Sequence, residues 1–486
     1  MNNAAFASTF YIDFDGGSDS YTSTQAQSKA TPWKYCPGMG NATGNSASYS
    51  VQAGDIFIFK GGVQWDITST WTLSSGTSGN IITYTVDPTW YTGSSWSRPV
   101  IDGNNGFTGS SDYFVQAYSV HHWKLNNLQL SNVGSKTAYN FSSVIKMLEA
   151  YEVEISYCRI IAYTAHAINF ATQGTTARNG FSVHHNEISN YGNGIEFRAD
   201  NGNGSQDITG LTIHDNVFHD GHCYSTGDHY DTIHLFSVNN YKQIKNIEIY
   251  NNIWYGSWEN ATATAAGGTA QIYLEDCVDG GIIYNNVHSF SNHVSNSTLQ
   301  DFTFSPGFCA IYGSNNVKVY NNTYDSSAAT TPRDGASGSV TVNGSTNIVI
   351  KNNIDIKTYQ GIYASTSSNV IAIDGNMRDM GESTYYGRLG TFSYSLSDWN
   401  SRSQVGTDYE NNPELADMTA IPPDYTITNI SPAYDKGVTL SEFSTDIEGT
   451  TRPQGSAWDI GAYEYDSGSA TATIQRATSG AGMSFQ

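Results

Sequence analysis

The sequence predicts an all-β fold: one right-handed parallel β-helix, a solenoid of short strands with a capping segment at each end. Two observations predict it. A phrase of alternating apolar residues ending in Asn recurs along the chain. It reads WKLNN to Asn127, FSVHHN to Asn186, LTIHDN to Asn216, IEIYNN to Asn252, GIIYNN to Asn286, VKVYNN to Asn322 and IVIKNN to Asn353. VEISYC to Cys158 and IAIDGN to Asn376 fit the same frame, so successive spacings from 127 to 376 are 31, 28, 30, 36, 34, 36, 31 and 23 residues. A fixed strand-length phrase with variable filler marks stacked repeats. The second observation is composition: only 14% of residues are charged, and no Ala/Leu/Glu/Lys stretch of helical character occurs.

Each coil is expected to hold three strands. The first carries apolar residues at alternate positions, such as Ile247 and Ile249 or Val317 and Val319, the period of a half-buried strand. The Asn suits the sharp bend that follows, because Asn tolerates left-handed backbone and can bond along a stack of its own kind. A short second strand comes next, then a loop of uneven length, then a third strand: VIKML, AINFA, GIEFR, TIHLF, QIYLE, AIYGS, SVTVN and GIYAS. Residues 1–110 are expected to form the N-terminal cap and first coils, 111–380 the regular core, 381–466 a segment closing the other end, and 467–486 a small-residue polar tail.

Charge and cysteine content narrow the function. A net charge of −22 excludes a nucleic-acid backbone as a natural partner. No run approaches the ~18 apolar residues of a membrane span. The five Cys (36, 158, 223, 277, 309) are scattered without CxxC or metal-ligand spacing, so at most two disulfides form. The opening MNNAAFASTFYI lacks the basic and apolar regions of a signal peptide, so secretion is expected through a leader absent from this sequence or by another route.

FYIDFDGGSDS and GDIFIFKGG near the start, the Asn-ended coils, and the closing SPAYDKG, DIEGTTRP and DIGAYEY together resemble secreted bacterial right-handed β-helix proteins active on polysaccharides: pectate, chondroitinase B-type and alginate lyases, and β-helix glycoside hydrolases. The resemblance covers the chain to about residue 466. It implies a polysaccharide or oligosaccharide substrate lying over the GIEFR and TIHLF strands, walled by the loops that precede them. The Lys and Arg phrases of chondroitinase B-like lyases are absent, and the fold hosts several chemistries.

Aligning the third strands on their buried Ile gives an outward column of Lys146, Asn169, Glu196, His234, Tyr273 and Tyr312, with Arg198, Phe236 and Glu275 two residues on. The long stretches HDGHCYSTGDHYD and YGSWENATATAAGGTA precede the middle strands, where rigid scaffolds build clefts. Glycoside hydrolysis needs two carboxyl groups, one to protonate the leaving oxygen and one ionised. The preferred pair is Glu196 with Asp231, with Glu275 as alternative partner, Asp228 as a further acid, and His234 and Arg198 tuning them. Trp254, Trp258, Tyr224 and Tyr230 are candidates for stacking on sugar rings. A lyase or epimerase reading uses Arg198 or Lys146, with Asn169, to neutralise a uronate, and His234 or Tyr273 as base. A third reading is a non-catalytic glycan-binding or tailspike-like protein on a virion surface. No cofactor is expected, although Asp228, Asp231, Glu275 and Asp276 leave room for calcium. HHNE (184–187) is read against metal binding, because strand neighbours point to opposite faces. HDNVFHDGH (214–222) lacks the spacing of a zinc site.

Overall fold

The computed structural model describes residues 7–466 apart from 110–111, 135–141, 173–176, 200–206, 224–229, 238–243, 261–268, 290–302, 305–306, 328–334, 337 and 382. Among the described residues the strands form three sheets of twelve and a two-stranded pair, Thr303–Phe304 with Gly335–Ala336, all parallel except at a terminal hairpin of Gly387–Leu389 with Phe392–Tyr394. This is the expected right-handed parallel β-helix: first, second and third strands of each coil lie in separate sheets, and hydrogen bonds run from coil to coil.

Two compact units divide the chain, 1–195 and 196–474. In 1–195 the first complete coil is already made by Ile56–Gly61, Gln64–Asp66 and Trp71–Thr72. Its core is aromatic, with Phe10 stacked on Phe57 and Phe57 on Tyr84, ring centroids 5.4 Å apart in each pair. Later coils such as Tyr151–Ser156, Arg159–Ile161 and His166–Thr172 turn inward Val153, Ile155, Ile160, Ile168 and Phe170, all 0–4% exposed.

The Asn bend is a hydrogen-bonded ladder. In 196–474, Asn216 donates its backbone N–H and Nδ2 to Asn252 Oδ1 at 3.1 and 3.0 Å. The pattern repeats from Asn252 to Asn286, Asn286 to Asn322, Asn322 to Asn353 and Asn353 to Asn376, every distance 2.9–3.0 Å. From Asn252 to Asn376 the Nδ2 also reaches a first-strand carbonyl, as Asn286 does to Ile249 O at 2.9 Å. The residue before each ladder Asn takes the left-handed turn, with φ between +49° and +57° at Asp215, Asn251, Asn285, Asn321 and Asn352. Gly375 supplies that geometry at φ +69° where the pair reads Gly-Asn.

Two positions in the repeat differ from expectation. Asn127 is not a ladder residue: it has φ +60° and donates its N–H to Ser156 O, as Tyr157 does to His184 O. The ladder place belongs to the buried Leu128. In 1–195 the ladder residue is Asn186, whose Oδ1 accepts from Cys158 N at 2.9 Å. Adjacent Asn residues are interchangeable to the eye, and only the backbone separates them. The second difference is the closing segment. Residues 413–466 run back along the outward face of the second sheet instead of covering the coil end. Asn285 Nδ2 donates to Thr445 O, Asn321 Nδ2 to Asp459 O and Asn352 Nδ2 to Val438 O, at 2.8–3.0 Å. Tyr425, Ile447, Ala462 and Tyr463 pack on Ile253 and Val287. Residues 386–410 do the capping: Trp399 is buried and donates Nε1 to Asp408 Oδ2 at 2.8 Å, while Asp408 Oδ1 accepts from Asn376 N and Nδ2. The ladder ends on a residue that can accept on both sides.

The four described cysteines, 36, 158, 277 and 309, are free and buried, and no described helix is long and apolar enough to cross a membrane.

Candidate functional site

Third strands place the candidate residues: Asn193–Ala199 carries Glu196 and Arg198, Ile233–Ser237 carries His234, Ile272–Glu275 carries Tyr273, and Cys309–Tyr312 ends on Tyr312. Ile233 pairs with Ile272, His234 with Tyr273 and Phe236 with Glu275, so the inward Ile and outward polar column are in the expected register there. The next coil shifts it by two. Cys309 lies against Ile272 and Ile311 against Leu274, which puts Tyr312 beside Glu275 and Ala310 beside Tyr273. Cys309 and Ile311 both face inward, and a slip of two preserves which face each residue takes.

The outward column separates into a covered row and a solvent-reaching row. His234, Tyr273 and Thr341 are 1–5% exposed, and Ala270, Tyr273 and Ala310 pack together with Tyr312 alongside. Arg198, Phe236, Glu275 and Tyr312 form the half-exposed row. The Arg198 guanidinium stands 5.7 Å from the centre of the Phe236 ring.

His234 joins the two rows. Its Nε2 is 3.0 Å from Glu275 Oε2, and its Nδ1 is 3.6 Å from Asp231 Oδ2, an ion-pair distance. Stacking on Phe236 at 4.6 Å and on Tyr273 at 5.1 Å fixes the ring plane. Asp231 is fully buried, and its Oδ1 accepts the Ala270 N–H at 2.7 Å. Burial raises its carboxyl to about 7, opposed by His234 and the Ala270 N–H and assisted by Glu275 and Glu196. Burial works to lower the His234 pKa, but Glu275, Asp231 and Glu196 outweigh it and raise the imidazole above its ordinary value. Burial, then Glu275 and Asp231, push the Tyr273 phenol far above its usual range. Two carboxyl groups in contrasting surroundings, one dry and one reaching solvent, thus share one imidazole; such contrasts divide acid from base work.

Lys146 and Asn169 belong to 1–195, where Lys146 Nζ hydrogen-bonds Asn169 Oδ1. Trp254 is not a sugar platform: it is 1% exposed, sandwiched between Phe218 at 5.2 Å and His288 at 4.3 Å. Tyr230 is likewise buried. Trp258 lies on the strand Ile253–Asn260 but its side chain falls outside the described residues, as do Asp228 and Tyr224 entirely. His184 and His185 do not point to opposite faces. His185 has φ +55°, which brings the two Nδ1 atoms to 2.9 Å, while His184 Nε2 meets Glu154 Oε1 at 3.1 Å. Among oxygen groups considered for calcium, Asp231 is turned to Ala270 and Glu275 to His234. Sequence reasoning missed Ala270, whose contribution is a backbone N–H and leaves no residue signature.

No family model matches the chain, and no curated protein matches it. Solved structures do. A pectate lyase, Pel9A, is 15% identical over 95% of this chain and 98% of its own, with a TM-score of 0.44. The GH136 lacto-N-biosidase from Eubacterium ramulus is 10% identical over 82% of this chain and 66% of its own, TM-score 0.45. A rhamnogalacturonan lyase is 12% identical over 92% and 95%, TM-score 0.37. At these identities the likeness concerns architecture.

Proposed function

We propose that the chain is an extracellular polysaccharide-degrading enzyme, a glycoside hydrolase whose groove floor is the row Arg198, Phe236, Glu275 and Tyr312. The observation that carries this reading is His234 set between buried Asp231 and solvent-reaching Glu275. Hydrolysis requires a proton for the departing glycosidic oxygen and a base for the attacking water. Glu275 is the carboxyl that meets the sugar and protonates that oxygen. Asp231, raised to about 7, stores a proton near neutrality, and His234 passes it to Glu275. The second carboxylate is Glu196, 9% exposed in the covered row where Asp231 is 0% exposed, which takes the proton of the water that attacks the anomeric carbon. Its strand and that of Glu275 flank the His234 strand in the sheet. Two coil spacings of ~4.8 Å and an offset of two residues along the strand, ~6.6 Å, put the two backbones roughly 11–12 Å apart, so the two side chains must lean toward each other to reach the inverting range of ~6.5–9.5 Å. This assignment moves Asp231 from direct contact with substrate to a supporting place, because its carboxyl is fully buried.

The lyase reading has one observation in its favour, the half-exposed Arg198 on the groove floor, which could neutralise a uronate carboxylate. Against it, both candidate bases are poorly poised: the His234 imidazole is held towards its charged form and the Tyr273 phenol towards its neutral form. Calcium is not needed for the hydrolytic steps.

Glu275→Gln and Glu196→Gln should each retain the fold and lose at least about 100-fold in turnover, measured as reducing ends released from the best-cleaved polysaccharide. If both stay active while His234→Ala and Tyr273→Phe are dead, the carboxylate pairing is wrong and elimination chemistry takes its place.

A further inference from the structure

Behind the groove, on the inside of the coil, lies a polar pair that the steps above do not use. Gln271 immediately follows Ala270 and is 1% exposed; His288 is fully buried on the second strand of the next coil. Gln271 Oε1 and His288 Nδ1 are 2.7 Å apart. The His288 ring is clamped between Trp254 at 4.3 Å and Tyr324 at 4.8 Å, so it cannot swing. The backbone on either side of Gln271 is tied to the coil that bears Asp231. Thr269 N donates to Tyr230 O at 3.2 Å and Ile233 N donates to Gln271 O at 2.8 Å, and between them Ala270 N donates to Asp231 Oδ1.

Neighbouring coils show that the interior does not require this polarity. In the His288 column the second strands present Phe218 and Trp254. Phe308 accepts the Gln271 N–H from the next coil and is itself fully buried. A buried amide and imidazole are costlier to bury than such rings unless they bond each other. They link the coil that supplies the Ala270 N–H to the next one.

We propose that Gln271 and His288 are positioning residues for the acid–imidazole chain: their hydrogen bond fixes residues 269–271 so that the Ala270 N–H stays on Asp231 Oδ1, which sets the proton affinity of Asp231 and its aim at His234. Burial drives the His288 imidazole well below its ordinary pKa, towards its neutral form. The inference rests on the reading of Asp231 as proton store in the proposed hydrolase.

The test compares wild type with Gln271→Leu and with the double variant Gln271→Leu/His288→Phe, which replaces the pair by apolar groups and protects against a merely unstable single variant. The protonated-carboxyl C=O band of Asp231, identified by its loss in Asp231→Asn, is followed by infrared spectroscopy across neutral pH. In parallel, kcat and KM are measured on the polysaccharide that wild type cleaves fastest. With a native melting curve, the double variant should retain the protonated band to a pH about one unit higher, and kcat should fall about tenfold with KM unchanged. An unaltered band titration in a natively folded double variant overturns the inference and leaves the pair as core packing. A shifted titration with unaltered turnover keeps the positioning of Asp231 and removes Asp231 from the reaction, so the proposed function fails separately.

Discussion

Each ring nitrogen of His234 faces a carboxyl group, and the two carboxyls differ in what surrounds them: Asp231 is dry, Glu275 about one-third exposed. The stability consequence has a definite sign. The Asp231 carboxyl is raised from 3.8 to about 7 by burial, so the neutral acid is the form that the fold favours. Its stabilising contribution is complete below the ordinary carboxylate range and is lost as pH rises through about 7. The raised His234 acts with the same sign, since the support of its charged ring is lost on deprotonation. Asp231→Asn keeps an oxygen for the Ala270 N–H and removes the buried ionisation. It should therefore melt above wild type at about pH 8, by on the order of 2 kcal/mol, with a smaller gain at about pH 5. Equal melting of the two proteins at both pH values would show that no buried carboxyl titrates near neutrality. The outward turn of His234 and Tyr273 was legible from apolar alternation alone, since a one-residue slip would turn both into the coil interior. The two-residue displacement of Tyr312 was not, because Cys309 and Ile311 are equally good inward residues. Trp254 misled for a related reason: an aromatic near a long variable segment reads as a cleft wall, while its place against Phe218 and His288 is set by the coil interior.

The ladder bend is the element that sets coil spacing. Asn286 accepts two hydrogen bonds from Asn252 and donates to Ile249 O and Asn322, all buried. Asn286→Ala leaves those groups unpaired and should cost about 2–4 kcal/mol, read as a lowered denaturant midpoint. A loss below about 0.5 kcal/mol would mean that the ladder decorates the bend without holding it. The strands and ladder could be read from the sequence because their period is written in side chains. The course of 413–466 could not. SPAYDKG and DIGAYEY carry no periodicity, and their docking depends on carbonyls meeting Asn285, Asn321 and Asn352. Arg452 completes that docking in a fully buried pair with Glu464, 2.9 Å apart, an arrangement that specifies one mode of attachment more than it adds stability.

At the scale of the molecule, three parallel sheets turn residues dozens of positions apart into neighbours, and chemistry is assembled across coils: His234 and Glu275 are 41 residues apart and hydrogen-bonded. The most direct test of the account is a cleavage panel of β-glucan, xylan, polygalacturonate and alginate, with and without calcium. Each reaction is read both for new reducing ends and for the ultraviolet absorbance of an unsaturated product. Reducing ends without absorbance, independent of calcium and abolished in Glu275→Gln, are the predicted result. Absorbance rising together with reducing ends would contradict it and assign the groove to β-elimination, and binding without any product would leave the groove as a glycan-holding surface.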